Sequence, residues 1–255
     1  MHIPRIYIPQ ALSEHIAIEL DKAAMHHLVT VMRMKVGREL ILFNSQSISG
    51  QFGEFSATLV TIDKKHARID VGAFSVPQIE SPLKVHLGMC LIKNDRMDWL
   101  LQKATELGVS EVTPLFSQYT DVKIPADRIE KKMEHWRKIL INACEQSGRV
   151  RLPCLHTPRT LDSWVQSSTN ISQKYVLHPH VSLRAIENTH LKPTSSSDAN
   201  VVALLVGPEG GLTDQEVDLA VDNQFSGMRL GPRILRAETA PLAALAVFSY
   251  QMGDF

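Results

Sequence analysis

The chain has 255 residues, 44% of them hydrophobic, and carries 27 Lys and Arg against 27 Asp and Glu. That length accommodates one large domain or two modest ones with a real core, and no apolar run approaches the ~20 residues of a membrane span. Charge is uneven, +4 over residues 81–160 and −4 over residues 161–255, an imbalance that fits a polyanion partner and a solvated helix face equally well.

Residues 1–10 lack the charged-then-apolar pattern of a secretory signal, so a cytoplasmic location is expected. Cys90, Cys144 and Cys154 are odd in number without CxxC spacing, which argues for reduced, structural thiols. The 11 histidines show no metal-ligand spacing, and no metal is expected.

In chain order, the first 75 residues read mainly as short strands. "RIYIP", "RELILFN", "GEFSATLVTID" and "HARIDVGAF" carry partial alternation, and one helical candidate, "AAMHHLVTVMRMKVG", lies between the first two. This suggests a small β-barrel-like unit over 1–75, closed by a linker in "SVPQIESPL". From residue 76 onward strands and helices alternate. "KVHLGMCLI" is a nearly continuous apolar run, as a strand covered on both faces requires. "NDRMDWLLQKATELG" predicts a helix with Asp95 as N-cap and Gly108 after its end, and "VSEVTPLF" another strand. Residues 127–147 predict an amphipathic helix on the stripe Ile129, Met133, Trp136, Leu140 and Ala143.

Strands "KYVLHP" and "VVALLVG" follow, separated by "KPTSSSDAN", where a mobile loop is expected. Thr213 and Glu216 have capping-box spacing for a helix starting at Thr213. "GMRLG" predicts a short strand, and "TAPLAALAVFSYQM" a helix too apolar to be exposed all round. The alternation predicts an α/β fold with a mainly parallel sheet, whose ligand would sit at the loops after Leu177, Val206 and Leu230.

Two of those loops carry the chemistry. "GPEGG" places Gly207, Gly210 and Gly211 at the start of a helix, where a phosphate cradle is one possibility. It is neither GxGxxG nor GxxxxGK[ST], and Asp214 and Glu216 follow, so a neutral or cationic ligand fits better; a tight turn without ligand stays open. "LGPRILRAETAPL" sets Arg233 and Arg236 beside Glu238 in an apolar setting, so an ion-pair network or a polar substrate is expected, the simplest case being Arg236 paired with Glu238.

"LLVGPEGGLTDQE" followed by "LGPRILRAETA" resembles the paired signature of the 16S ribosomal RNA uridine-N3 methyltransferases, of the SPOUT superfamily of knotted methyltransferases. "KNDRMDWLLQKATELGVSEVTPLFS", "ACEQSGRVRLP", "LHP", "PRIYIP" and "HHLVTVMRMKVG" extend the resemblance over nearly the whole chain. Asn94 stands where many relatives have glycine, and Ala237 where threonine is common. The resemblance implies a PUA-like RNA-binding barrel over 1–75, an α/β domain over 76–255 with a C-terminal trefoil knot, and a homodimer with the last helix in its interface. It implies S-adenosylmethionine as cofactor, held by Leu177 and His178, by Leu205, Gly207, Pro208 and Gly210, and by Leu230, Gly231, Ile234, Leu235 and Ala237. The implied substrate is 16S ribosomal RNA of the 30S subunit. Arg236 is the candidate for stabilising a uridine anion, Glu238 for positioning Arg236 or accepting the proton, and Arg233 for holding phosphate or base. Arg5, Arg33, Lys93, Arg96 and Arg149 are the candidate RNA contacts. A methyltransferase acting on transfer RNA, a non-catalytic RNA-binding assembly factor and a nucleotide-binding enzyme are the competing readings, the last disfavoured by the missing Walker lysine.

Overall fold

The computed structural model describes residues 3–20, 22–25, 28–29, 33–63, 66–171, 173–178, 201–252 and 255. The chain divides into two compact units, Met1–Glu80 with Cys144–Leu152, and Ser81–Ala143 with Pro153–Phe255.

The first unit contains β1 (Arg5–Tyr7), β2 (Ala17–Glu19), α1 (Lys22–Met25), β3 (Glu39–Phe43), β4 (Ser47–Ile48), β5 (Gln51–Phe52), β6 (Glu54–Ile62) and β7 (Ala67–Ser75). Five of these strands form a sheet in the order β1-β3-β6-β7-β2, antiparallel except for β1 beside β3. Alternation along β6 and β7 turns Phe55, Ala57, Leu59, Ala67, Ile69 and Val71 into one core, as a half-buried sheet demands. The helix expected over 23–37 does not reach its predicted end: Arg33 takes a left-handed φ of 52° and Met34 donates its N–H to the Leu28 carbonyl. Segment 144–152 joins this unit through Glu80, which accepts the N–H groups of Val150 and Arg151 at 2.9 Å and pairs with Arg149 at 3.0 Å.

The second unit is a parallel α/β sheet. Its elements are β8 (Lys84–Cys90), α2 (Asn94–Glu106), β9 (Glu111–Phe116), α3 (Ile129–Ser147, whose last turn from Cys144 belongs to the first unit), β10 (Cys154–Leu155), β11 (Arg159–Thr160), α4 (Leu161–Ser167), β12 (Gln173–Leu177), β13 (Val201–Val206), α5 (Asp214–Asp222), β14 (Ser226–Met228) and α6 (Thr239–Met252). The strand order is β10-β9-β8-β13-β12-β14, with β11 also on β9. Both faces are buried, which is why the strands read as apolar runs. Along β13, Val202, Leu204 and Val206 enter one core with α2, α3 and α6, while Ala203 and Leu205 enter the other with Trp164, Val165 and Ala220. Gly88 leaves room for the Trp164 ring, which a Cβ there would meet at 2.6 Å.

Helix ends follow local chemistry. Thr213 and Glu216 form the reciprocal capping box that starts α5. Asp95, by contrast, is not the N-cap of α2: that position is Lys93, which makes no side-chain cap, and Asp95 sits within the first turn where its charge suits the helix dipole. Gly108 follows α2 with a φ of 84°. The segment "KPTSSSDAN" lies outside the described residues.

Candidate active site

Three neighbouring strands, β13, β12 and β14, end on the same side of the sheet. Beyond their carboxyl ends lies a cavity of about 430 Å³. Parallel strands deliver successive loops to one place in this way, and ligands collect there. The first wall comes from Leu177 and His178, whose N–H donates to the Met228 carbonyl at 3.3 Å. The middle wall is Val206, Gly207, Pro208, Glu209, Gly210 and Gly211, and the third runs from Met228 to Leu230 and from Arg233 to Ala237, with Ala240 behind it.

The middle loop needs its glycines. A Cβ on Gly207 would lie 2.9 Å from Leu212 Cγ and 3.2 Å from the Gly211 carbonyl carbon, and Gly211 has a φ of 78°. Backbone folds this tightly only without side chains at those points.

Of the cofactor residues expected from sequence, all but Leu205 and Gly231 line this cavity. Leu205 is fully buried on the opposite face of β13, and its neighbour Val206 lines the cavity. Both faces of this strand are apolar, so the sequence carries no sign of which residue faces the ligand. Glu209, Met228, Arg229 and Ala240 also line it and were not among the residues expected there, nor was Arg96 in this setting, while Gly211 belongs to the glycine loop that the sequence singled out.

The charged residues are arranged differently from the sequence reading. Glu238 faces Arg96, with Nε 3.8 Å from Oε1, and does not pair with Arg236. Arg96 also reaches Glu209 at 3.4 Å, and Glu209 accepts the Lys93 N–H at 3.2 Å. One guanidinium from α2 therefore spans the middle loop and the loop before α6. The second oxygen of Glu238, Oε2, is buried and has no hydrogen-bond partner among the described residues. Arg233 and Arg236 line the cavity, are exposed, and form no ion pair among the described residues.

The five candidate RNA cations separate into two groups. Arg5 donates to the Gly148 carbonyl at 2.8 Å, pairs with Glu54 and lies over the Phe43 ring, and Arg149 is held by Glu80 with its side chain 7% exposed. Both are occupied as internal fastenings of the first unit. Lys93 and Arg33 are exposed, and Arg96 belongs to the cavity wall. Among the thiols, burial pushes Cys90 and Cys144 up to about 12, so both stay protonated at neutral pH.

Elsewhere in the second unit, the sheet gathers His86, Glu111 and His156, with His156 Nε2 2.7 Å from Glu111 Oε2. Burial holds the His86 imidazole down at about 4, opposed by Glu111 and assisted by His156 and Arg159.

A glycine-lined cavity at the carboxyl edge of a parallel α/β sheet, with Arg96, Arg229, Arg233 and Arg236 in its lining, defines a ligand-binding protein of the α/β class. Residues 79–249 match the model of an RNA methyltransferase domain, and residues 20–72 that of an RNA methyltransferase PUA domain. The chain is 33% identical over 252 residues to ribosomal RNA small subunit methyltransferase E of Buchnera aphidicola subsp. Schizaphis graminum, covering 99% of this chain and 98% of that one. It is 32% identical over 243 residues to the protein of that name from Bacillus subtilis, covering 95% and 93%. Among solved structures it resembles ribosomal RNA small subunit methyltransferase E from Neisseria gonorrhoeae bound to S-adenosyl methionine, at a TM-score of 0.87, 32% identity and 100% of both chains. A Legionella pneumophila protein in complex with the bound cofactor SAM matches at 0.89, with 36% identity and 100% of both chains. The chain belongs to the ribosomal RNA small subunit methyltransferase E family, and is with it an RNA methyltransferase.

Proposed function

We propose that this chain transfers the methyl group of S-adenosylmethionine to N3 of a uridine in 16S ribosomal RNA of the small ribosomal subunit. The observation that carries the reading is the cavity itself: loops of apolar and glycine residues offer backbone groups, Arg96 pairs with Glu209 and Glu238 at one wall, and Arg229, Arg233 and Arg236 line the rest. The cofactor fits this lining. Its sulfonium charge is tolerated beside Glu209, the carboxylate that lines the cavity.

Leu177, Val206, Leu230, Ile234 and Leu235 would hold the adenine between apolar side chains, and Gly207 admits the ribose to the backbone. S-Adenosylmethionine supplies, when bound, an electrophilic methyl group on sulfur. The residues then have two tasks. They align nucleophile and methyl, which is the larger part of a displacement. They also compensate the charge left when N3 gives up its proton, the role of Arg236, which is exposed at the cavity and not neutralised by Glu238. Arg233, its neighbour on the same loop, holds phosphate or base. Glu238 keeps its pairing with Arg96, and its buried Oε2, without a partner among the described residues, is the candidate proton acceptor.

The C-terminal trefoil knot, the homodimer and the cytoplasmic location belong to the same proposal. The dimer is supported by Val247 and Tyr250, which leave α6 36% and 75% exposed on an otherwise apolar helix. The first unit is taken as the RNA-binding one. Nucleoside mass spectrometry of ribosomal and transfer RNA from a deletion strain tests the substrate: 3-methyluridine missing from small-subunit RNA supports the proposal, and a loss confined to transfer RNA defeats it.

A further inference from the structure

Sheet register brings together side chains that are far apart in sequence. β8, β9 and β10 are parallel neighbours, and the register sets His86 opposite Glu111 and Glu111 opposite Cys154. His156, just past the end of β10, reaches back to Glu111 with its Nε2 2.7 Å from Oε2. Its N–H continues the ladder to the Val112 carbonyl at 2.9 Å. One donor atom from each of His86, Glu111 and His156 lies within 4.8 Å of the others. The cluster sits over β8 and β9, near the start of each strand, and shares no residue with the cavity beyond β12, β13 and β14.

The geometry points to a binding site for a divalent transition-metal ion of the zinc type, held by His86, Glu111 and His156. Two imidazoles and one carboxylate are the donor set that suits zinc and its first-row neighbours, whereas magnesium and calcium require oxygen ligands. The Glu111 carboxylate already lies between the rings, 2.7 Å from His156 Nε2 and 3.9 Å from His86 Nδ1. The two rings lie tilted by 31° with centroids 5.1 Å apart. Glu111 and His156 side chains are 45% and 40% exposed, which leaves an entry path and room for water to complete the coordination.

The hydrogen bonds around His86 set the tautomer that coordination has to change. In the metal-free chain the Trp164 indole N–H donates to Nε2 at 3.2 Å, so the imidazole proton rests on Nδ1. Coordination through Nδ1 displaces that proton; on Nε2 it would take the place of the Trp164 N–H, which must turn away, and Thr113 Oγ1, 2.7 Å from Nε2, accepts it. A ligating imidazole is commonly oriented by such an outer hydrogen bond. Arg159 is the opposing charge in the neighbourhood, and its guanidinium is engaged by the Ser163 carbonyl at 2.7 Å. An ion here fastens β8, β9 and the segment after β10 to one another, away from the methyl-transfer chemistry.

The test is titration of the full chain, after chelator treatment, with zinc chloride in a calorimeter, with magnesium chloride in parallel and cobalt(II) followed by its visible absorption. The expected result is a single zinc ion per chain, no magnesium binding, and a zinc-dependent rise in melting temperature. Glu111→Gln and His156→Ala, both at half-exposed positions, should each weaken zinc by at least the ~10-fold that loss of even an outer partner costs. His135→Ala should leave zinc affinity unchanged, because that imidazole lies elsewhere, against Asp98 at 2.6 Å. Absence of saturable zinc binding and of the melting-temperature rise in the unmodified chain overturns the proposal. So does binding that survives both Glu111→Gln and His156→Ala.

Discussion

Replacing Arg96 by alanine removes the cation that spans two walls of the cavity. Its guanidinium lies 3.4 Å from Glu209 and 3.8 Å from Glu238, and the three side chains are 29%, 30% and 13% exposed. At an effective dielectric of about 20, charges at such separations attract by ~4 kcal/mol before desolvation is counted. The net effect of losing one partner lies between the ~0–1 kcal/mol of exposed pairs and the ~3–5 kcal/mol of buried ones, so about 1–2 kcal/mol is expected. That corresponds to a loss of about 5- to 30-fold in affinity for S-adenosylmethionine, because Glu209 and Glu238 sit on the loops that form its site. Calorimetry on Arg96→Ala, Glu238→Gln and the double variant measures it, and the single effects should be non-additive by at least about 0.5 kcal/mol. RNA affinity supplies the counter-test. If cofactor affinity stays unchanged while the salt dependence of RNA binding falls by about one phosphate contact, Arg96 serves the RNA and this reasoning fails.

Three further outcomes are expected. Arg236→Ala should lower single-turnover methylation by about 10²- to 10³-fold with cofactor binding intact, the cost of removing one donor from a developing anion, as rapid-quench kinetics can measure. Gly207→Ala should cost about 1–3 kcal/mol of stability by forcing a methyl against Leu212 and Gly211, read as a lower melting temperature together with weaker cofactor binding. Arg149→Met should destabilise the first unit by about 1–3 kcal/mol, since Glu80 Oε2 loses its cation while Oε1 keeps the Val150 and Arg151 N–H groups, and urea unfolding should register this while the salt slope of RNA binding stays the same.

The sequence carried the loops that build the cavity because strand ends, glycines and capping residues are local signals: Thr213 and Glu216 start α5 where the spacing requires, and "TAPLAALAVFSYQM" coincides with α6. Features set by strand pairing were not legible. Leu205 and Val206 are equally apolar and β13 is covered on both faces, so only the three-dimensional arrangement gives Val206 to the cavity. His86, Glu111 and His156 meet only through the register of β8, β9 and the segment after β10. Basic residues misled for a related reason. Arg5 and Arg149 look like free cations in one dimension, yet Glu54, Glu80 and the Gly148 carbonyl use their charge inside the first unit. Glu238 found its cation on α2, more than a hundred residues away in sequence, and not two residues away at Arg236.

Methyl transfer itself provides the most direct test. Purified protein, S-adenosylmethionine labelled in its methyl group and unmodified small ribosomal subunits are combined, and the labelled nucleoside is isolated and identified. The account predicts label in 3-methyluridine from small-subunit RNA, abolished when Arg236 is replaced; label in another nucleoside, or none while the cofactor binds, contradicts it.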